Sequence, residues 1–406
     1  MPIKMLTLED LDLEGRRVFL RVDINTPIHP ESGKLMEHAR LEEAALTIND
    51  LPKSKVVVAS HQGRVGRPDF TSLEAHSKAL EGILGKHVGF VPDVFGPAAL
   101  SEIDSLPEGG VLVLDNLRLT AEENQEYKFA DAERTFLVRR LKEHVDACVL
   151  DAFSTAHRSS PTIVGFAGLV PTCAGRTVGR ELRMLDRIVS VEKGPYVTVL
   201  GGAKVNDRLE AIDALIANDR ADKVLLCGVV GLIFLKAAGK LRGEVGVDGE
   251  QRFVLKARQL LDEDPERFAI PTDVGVKIDG GRKDVDPALV GTPAQVLDIG
   301  PKTVDRYSRF IKGAGTVFMS GPPGAFEFEE FSSGTEGLLR AMASSLGTTI
   351  ISGGHLSTAL RKYGIHDQID HISTAGGALV QYLAGKRLPL IDALERAEAK
   401  WGSKPQ

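Results

Sequence analysis

Short, nearly continuous apolar runs recur along the chain. The first series is RVFLRVDIN from Arg17, KVVVASHQG from Lys55, HVGFVPD from His87, GVLVLDNLR from Gly110 and ACVLDAFST from Ala147. The second is YVTVLGGAK from Tyr196, KVLLCGVVG from Lys223, AQVLDIGP from Ala294, TVFMSGPPG from Thr316, TTIISGGH from Thr348 and HISTAGG from His371. Runs that are continuous rather than alternating fit strands buried on both faces. Between them the apolar period lengthens to that of a helix: Leu209, Ile212, Leu215 and Ile216 make one stripe. Thr71, followed three residues later by Glu74, offers a capping box. Strand then helix, repeated, predicts parallel sheets.

The runs fall into two groups, and CAGRTVGRELRMLDRIV between them reads as a connecting helix. The expected class is α/β, with two doubly wound, Rossmann-like parallel-sheet domains joined by a hinge helix. The expected boundaries are 1–170 for the first domain, 171–192 for the connection and 193–385 for the second domain. A small loop at Ala384, Gly385 and Lys386 leads to a last helix within 386–406, expected to pack back near the hinge or the first domain. Length agrees, since 406 residues exceed the roughly 250–300 at which one core divides into domains. No short-period repeat or low-complexity tract points to a solenoid or scaffold.

Charge and composition narrow the function. A net charge of −6 disfavours a general nucleic-acid binder, so any anion site must be local. Three widely spaced cysteines without a C-x-x-C pair give neither a disulfide framework nor a zinc site. The acidic residues of MPIKMLTLEDLDLEG do not suit a signal peptide, and no apolar run approaches about 20 residues. The expectation is a soluble, cytoplasmic protein with no membrane partner.

In open α/β sheets, ligands bind beyond the carboxyl ends of the strands. In the first half these positions carry Arg21 with Asp23 and Asn25, His61 and Arg64, Asn116 and Arg118, and His157 and Arg158. Guanidinium forks match carboxylate and phosphate oxygens, so this set predicts a site for a small polyanion. A single arginine is more often the partner of a surface carboxylate, but recurrence at four strand ends outweighs that. The second half carries Gly201, Gly202 and Lys204, then Gly321, Pro322 and Gly324, then Gly353 with Gly354 and Gly376 with Gly377. Glycines there either make tight turns or let backbone N–H groups approach phosphates, and Lys204 favours the second, a nucleotide site. Neither G-x-x-x-x-G-K-S/T nor G-x-G-x-x-G occurs. His29, His38, His76, His87 and His144 lack spaced metal partners and read as surface or packing residues.

Eight segments in order resemble the phosphoglycerate kinase family. They are RVDINTP, SHQGRVGRP, DNLRLTAEE, DAFSTAHRSSPT, GGAKVNDR, DIGPKT, SGPPGAFEFEEFSSGT and STAGGA. The resemblance implies an ATP-dependent phosphotransferase of glycolysis, acting between 1,3-bisphosphoglycerate and ADP, and binding Mg2+ with ATP or ADP. It implies that Arg21, Asp23, Asn25, Arg40, His61, Arg64, Arg118 and Arg158 bind 3-phosphoglycerate. It likewise implies that Gly201, Gly202, Lys204, Asp207, Pro323, Glu327, Gly353, Gly354 and Gly376 face the nucleotide, with Glu327 on the ribose. Arg40, Lys204 and Arg208 become the candidates for stabilising the transferring group, in a monomer whose hinge unites the two ligands.

Three departures stand out. Arg208 replaces the family's lysine, CGVVG replaces its GGGM segment, and His355 stands where a carboxylate close to the metal is expected. The metal ligands are therefore left unassigned, and the departures suit the archaeal branch. Two rival readings are a nucleotide-binding regulator of the same fold without transfer activity and, against the missing glycine motif, a dinucleotide-dependent dehydrogenase.

Overall fold

The computed structural model describes the chain apart from residues 1–2, 30–31, 191–193, 220, 279, 292–294, 374, 384 and 403–406, and apart from the side chains at 186–190 and 383. The expected loop residue Ala384, the end of the expected connection at 191–192, and parts of the AQVLDIGP and HISTAGG runs lie outside the described residues. The chain divides into two compact units, one of Met1–Asp186 with Arg387–Gln406 and one of Arg187–Lys386.

The first unit is built on six strands: β1 (Arg17–Val22), β2 (Lys55–Ala59), β3 (Val88–Val91), β4 (Val111–Leu114), β5 (Ala147–Asp151) and β6 (Thr172–Ala174). All neighbours pair in parallel, in the order β3-β4-β2-β1-β5-β6. Val18, Leu20, Val56, Val58, Val113 and Val149 share a core with Leu41, Ala44, Ile48 and Leu80 of helices Ala39–Asn49 and Glu74–Leu84. Each such Val or Leu contributes about 1.5–3 kcal/mol on burial, so the apolar faces rather than helix propensity hold these short helices in place.

The capping box expected at Thr71 does not form. The helix begins at Glu74, whose N–H is accepted by the Ser72 hydroxyl at 3.2 Å, and the Leu73 N–H goes to the Asp115 carboxylate at 3.0 Å. A carboxylate at the end of β4 has taken over the role of the local cap.

The connecting segment also begins differently. Cys173 and Ala174 belong to edge strand β6, and the helix proper is Arg176–Ser190. The Arg176 N–H bonds to the Thr47 hydroxyl at 2.9 Å and the Val178 N–H to the Asp151 carboxylate at 3.0 Å.

The last helix, Pro389–Trp401, belongs to the first unit. It buries Leu390, Ile391, Leu394 and Ala397, its Leu390 N–H bonds to the Ala156 carbonyl at 3.1 Å, and the Trp401 indole N–H bonds to the Ala167 carbonyl at 3.1 Å.

The second unit carries β7 (Tyr196–Leu200), β8 (Lys223–Leu226), β9 (Phe268–Ala269), β10 (Val274–Ile278), β11 (Gly281–Val285), β12 (Val296–Ile299), β13 (Thr316–Ser320), β14 (Thr348–Ser352) and β15 (His371–Ser373). Six of these form a parallel sheet in the order β15-β14-β13-β7-β8-β9. The run AQVLDIGP does not join it. It supplies β12 of a separate antiparallel sheet, β11-β10-β12, in which β11 buries no residue and only half of β12 is buried. A strand such as GRKDV has no apolar run to betray it, so this sheet escapes a search for buried strands.

In each parallel sheet the chain reverses its direction of travel beside the first strand. From β1 it moves to β2 and returns to β5 on the other side; from β7 it moves to β8 and returns to β13 on the other side. Such switch points open crevices beyond the strand ends.

Candidate active site

At the switch point of the first unit, Arg21 is the penultimate residue of β1 and only 2% exposed. Its Nε donates to the Thr162 hydroxyl at 2.9 Å, and a terminal nitrogen donates to the Val22 carbonyl. Asp23, just past the strand, accepts hydrogen bonds from Arg40 and from the Ser154 hydroxyl, and from the Asn25 N–H at 3.1 Å. Burial would raise its pKa, but the charge of Arg40 and these hydrogen bonds outweigh that and hold it down at about 2. The Asn25 side-chain carbonyl accepts the Gly63 N–H at 2.9 Å, which ties the loop after β1 to the loop after β2.

His61, after β2, is buried, and desolvation pushes its pKa well below the ordinary value against the pull of Asp23. It is therefore a neutral imidazole, and its Nδ1 has no hydrogen-bond partner among the described residues. Arg118, after β4, donates to the Gly63 carbonyl. Burial and the neighbouring charges of Arg158, Arg21 and Arg64 bring its pKa down to about 10. The guanidinium groups of Arg21, Arg64 and Arg158 therefore lie within electrostatic reach of Arg118. Arg64 is exposed and Arg158 half-buried. Like charges held together unneutralised are unfavourable unless an anion joins them, so the cluster is built for one.

Four residues that the sequence does not assign to substrate binding support this set. Gln62 accepts the Thr26 N–H and donates back to the Thr26 carbonyl, each at 3.0 Å, while its side-chain oxygen also meets His76 Nε2 at 3.0 Å. His76 thus belongs to the scaffold of the site, and burial lowers its pKa to about 4. Glu123 is a buried carboxylate 3.6 Å from an Arg21 nitrogen. Asn116, noted only as a strand-end residue, donates to the Gln62 and Thr71 carbonyls at 2.8 Å each and accepts the Gln62 and Arg118 N–H groups at 3.1 Å each.

The switch point of the second unit is lined by glycine backbone. The Gly201 N–H bonds to the Ser320 carbonyl and the Gly202 N–H to the Pro322 carbonyl, both at 2.9 Å. A Cβ on Gly201 would stand 2.5 Å from the Pro322 oxygen, and Gly321 has φ of 80°, so side chains are excluded where these turns meet. The Pro323 carbonyl accepts the Gly228 N–H at 3.1 Å.

Lys204 is exposed at the N-terminus of helix Val205–Ala217 and makes no ion pair among the described residues. Asp207 is exposed in that helix's first turn. Arg208 turns inward instead: its Nε donates to the Gly201 carbonyl at 3.1 Å, and burial lowers its pKa. Gly353 and Gly354 open helix Gly354–Lys362 after β14, and Gly376 opens helix Gly376–Leu383 after β15. The exposed Glu327 carboxylate lies 3.6 Å from Nδ1 of His355 in the first turn of Gly354–Lys362. Helix starts therefore follow the ends of β7, β14 and β15, and the backbone N–H groups of such helix starts suit phosphate recognition.

The profile of the family described as Phosphoglycerate kinase matches residues 8–386. A phosphoglycerate kinase of Methanothermobacter thermautotrophicus is 42% identical over 401 residues, covering 97% of each chain. One from Sulfurisphaera tokodaii is 40% identical, covering 95% of each. The crystal structure of phosphoglycerate kinase from Pyrococcus horikoshii superposes with a TM-score of 0.90 at 37% identity, covering 98% of this chain and 100% of that one. That of the Coxiella burnetii enzyme gives 0.76 at 30% identity, covering 96% and 99%. With the order of its motifs, its two parallel sheets and this match along nearly all of its length, the chain belongs to the phosphoglycerate kinase family.

Proposed function

We propose that this chain transfers a phosphoryl group reversibly between 1,3-bisphosphoglycerate and ADP, giving 3-phosphoglycerate and ATP. The observation that carries the reading is the gathering of Arg21, Arg64 and Arg158 around the Arg118 guanidinium at the switch point of the first unit, in a chain whose family is a phosphotransferase. Arg21, Asp23, Asn25, Arg40, His61, Arg64, Arg118 and Arg158 would hold the phosphoglycerate. Gly201, Gly202, Lys204, Asp207, Pro323, Glu327, Gly353, Gly354 and Gly376 would face the nucleotide. No observation favours a regulator without transfer activity or a dehydrogenase.

The acceptor in the ATP-consuming direction is a carboxylate, already ionised at neutral pH, so no general base is needed. A neutral, buried His61 suits that: it can donate a hydrogen bond to the acceptor without taking a proton from it. The remaining work is positioning and charge stabilisation, the ordinary burden of phosphoryl transfer. Arg40 is held by Asp23 and would orient the acceptor. Lys204, which makes no ion pair among the described residues, would meet the transferring group, while Arg208 donates to the Gly201 carbonyl.

Among the described residues no three His, Cys, Asp or Glu side chains gather as a metal cage. Magnesium suits such a site, because it keeps several waters and binds through nucleotide phosphates with one or two carboxylates. Asp207 would be the protein's carboxylate, and the bound ion would neutralise phosphate oxygens. Among the described residues no helix is long and apolar enough to cross a membrane. The same reading makes the protein a cytoplasmic monomer acting on small molecules, with no nucleic-acid partner. A coupled assay of ATP consumption dependent on 3-phosphoglycerate tests it, and tight binding of both ligands without turnover would overturn it.

A further inference from the structure

The arginine cluster contains a buried carboxylate to which the transfer reaction gives no task. Glu123 is 3% exposed and lies in the short turn Glu122–Asn124. Its Oε1 accepts from the Thr162 hydroxyl at 2.6 Å and the Ser160 hydroxyl at 2.9 Å, and its Oε2 accepts from the Thr162 N–H at 3.2 Å. The Thr162 hydroxyl in turn accepts from Arg21 Nε at 2.9 Å, and another Arg21 nitrogen lies 3.6 Å from Glu123 Oε1. Glu123, Thr162 and Arg21 therefore form a relay in which each donor and acceptor has one direction only. Buried guanidinium groups need such a partner, because desolvation alone would make the site unstable.

We propose that Glu123 is a positioning and specificity-determining residue of the anion site, fixing Arg21 through the Thr162 hydroxyl and matching the charge of the site to an anion with one phosphate and one carboxylate. The electrostatic neighbours in the cluster are Arg21, Arg40, Arg64, Arg118 and Arg158 against Asp23 and Glu123, with His61 neutral. Five cations against two carboxylates leave three positive charges. A phosphorylated hydroxy acid carries about three negative charges at neutral pH. An acid with a second phosphate exceeds that, and Glu123 is the fixed charge that counts against it. The inference rests on the reading that the acceptor binds at this cluster.

The test measures the affinity of the full-length protein for 3-phosphoglycerate and for 2,3-bisphosphoglycerate by calorimetry, without nucleotide or metal. Glu123→Gln, which keeps the shape and removes the charge, should shift the ratio about tenfold toward the doubly phosphorylated acid. Glu123→Asp should restore the parental ratio. An unmoved ratio in folded Glu123→Gln overturns the charge role.

If that variant does not fold, Arg158→Gln makes the opposite change of one charge, and its ratio must move the other way; a parental ratio there also overturns it. Thr162→Val keeps the carboxylate and cuts the relay, so KM for 3-phosphoglycerate should rise about fivefold with the anion ratio unchanged. A parental KM in Thr162→Val overturns the positioning role. Parental protein without turnover of 3-phosphoglycerate overturns the functional reading itself, whereas turnover with unmoved ratios overturns this inference alone.

Discussion

The Thr47 hydroxyl donates a 2.5 Å hydrogen bond to the Asp151 carboxylate at the last residue of β5. Burial raises the Asp151 pKa to about 7 against that bond and those from the N–H groups of Val178 and Thr177. Between pH of about 4 and about 7 the folded chain thus holds a proton that the unfolded chain releases, and stability falls as pH rises through that window. Asp151→Asn removes the titration. Its stability relative to the parent should improve by up to about 4 kcal/mol from pH 4 to pH 8. Urea unfolding at both pH values checks this, and a difference that does not change with pH would refute it.

Asp23 titrates in the opposite sense. With a folded pKa of about 2, below its ordinary value of 3.8, it contributes stability that is present above about pH 4 and lost as pH falls toward 2. Asp23→Asn should cost about 2 kcal/mol at neutral pH and progressively less below pH 4. Because Arg40 loses its tether, KM for 3-phosphoglycerate should also rise. Unfolding curves from pH 2 to 7 with steady-state kinetics decide both points.

Lys204→Met leaves the Gly201 and Gly202 turns intact and removes the cation proposed to meet the transferring group. Losing one such interaction should lower kcat by about a hundredfold, with the KM for ATP much less affected. Retention of nearly full kcat would reduce Lys204 to a turn residue.

His355 faces Glu327 at 3.6 Å and is largely exposed. An imidazole is a poor magnesium ligand. His355→Ala should therefore change the magnesium concentration for half-maximal activity less than about twofold. A shift of tenfold or more, about 1.4 kcal/mol, would place the residue on the metal.

How much of this was legible in the sequence depended on distance along the chain. Arg21, Asp23 and Asn25 follow an apolar run directly, so the strand and the chemistry were read together. Glu123 and Thr162 were not singled out, because their meaning comes from contacts with Arg21 and each other that no local pattern encodes. His76 has no metal partner at a telling spacing in the sequence, and its partner in the fold is the side-chain amide of Gln62. Arg208 and Lys204 looked equivalent as cations near glycines; the helical turn between them sends one side chain to solvent and the other to the Gly201 carbonyl. Strands β9 and β11 carried no signal, one having two residues and the other none that is buried.

The unit that begins with β1 is not continuous in the chain. Helix Pro389–Trp401, with Leu390 and Leu394 fully buried, completes it from the far side of the entire second unit. During synthesis, strands β1 to β6 leave the ribosome first yet lack this wall of their core until about two hundred more residues have followed. The second unit, contiguous from Arg187 to Lys386, has all its parts before the first does. The order of completion is thus the reverse of the order of translation, and a chain released before Pro389 would carry every part of the second unit behind an unfinished first.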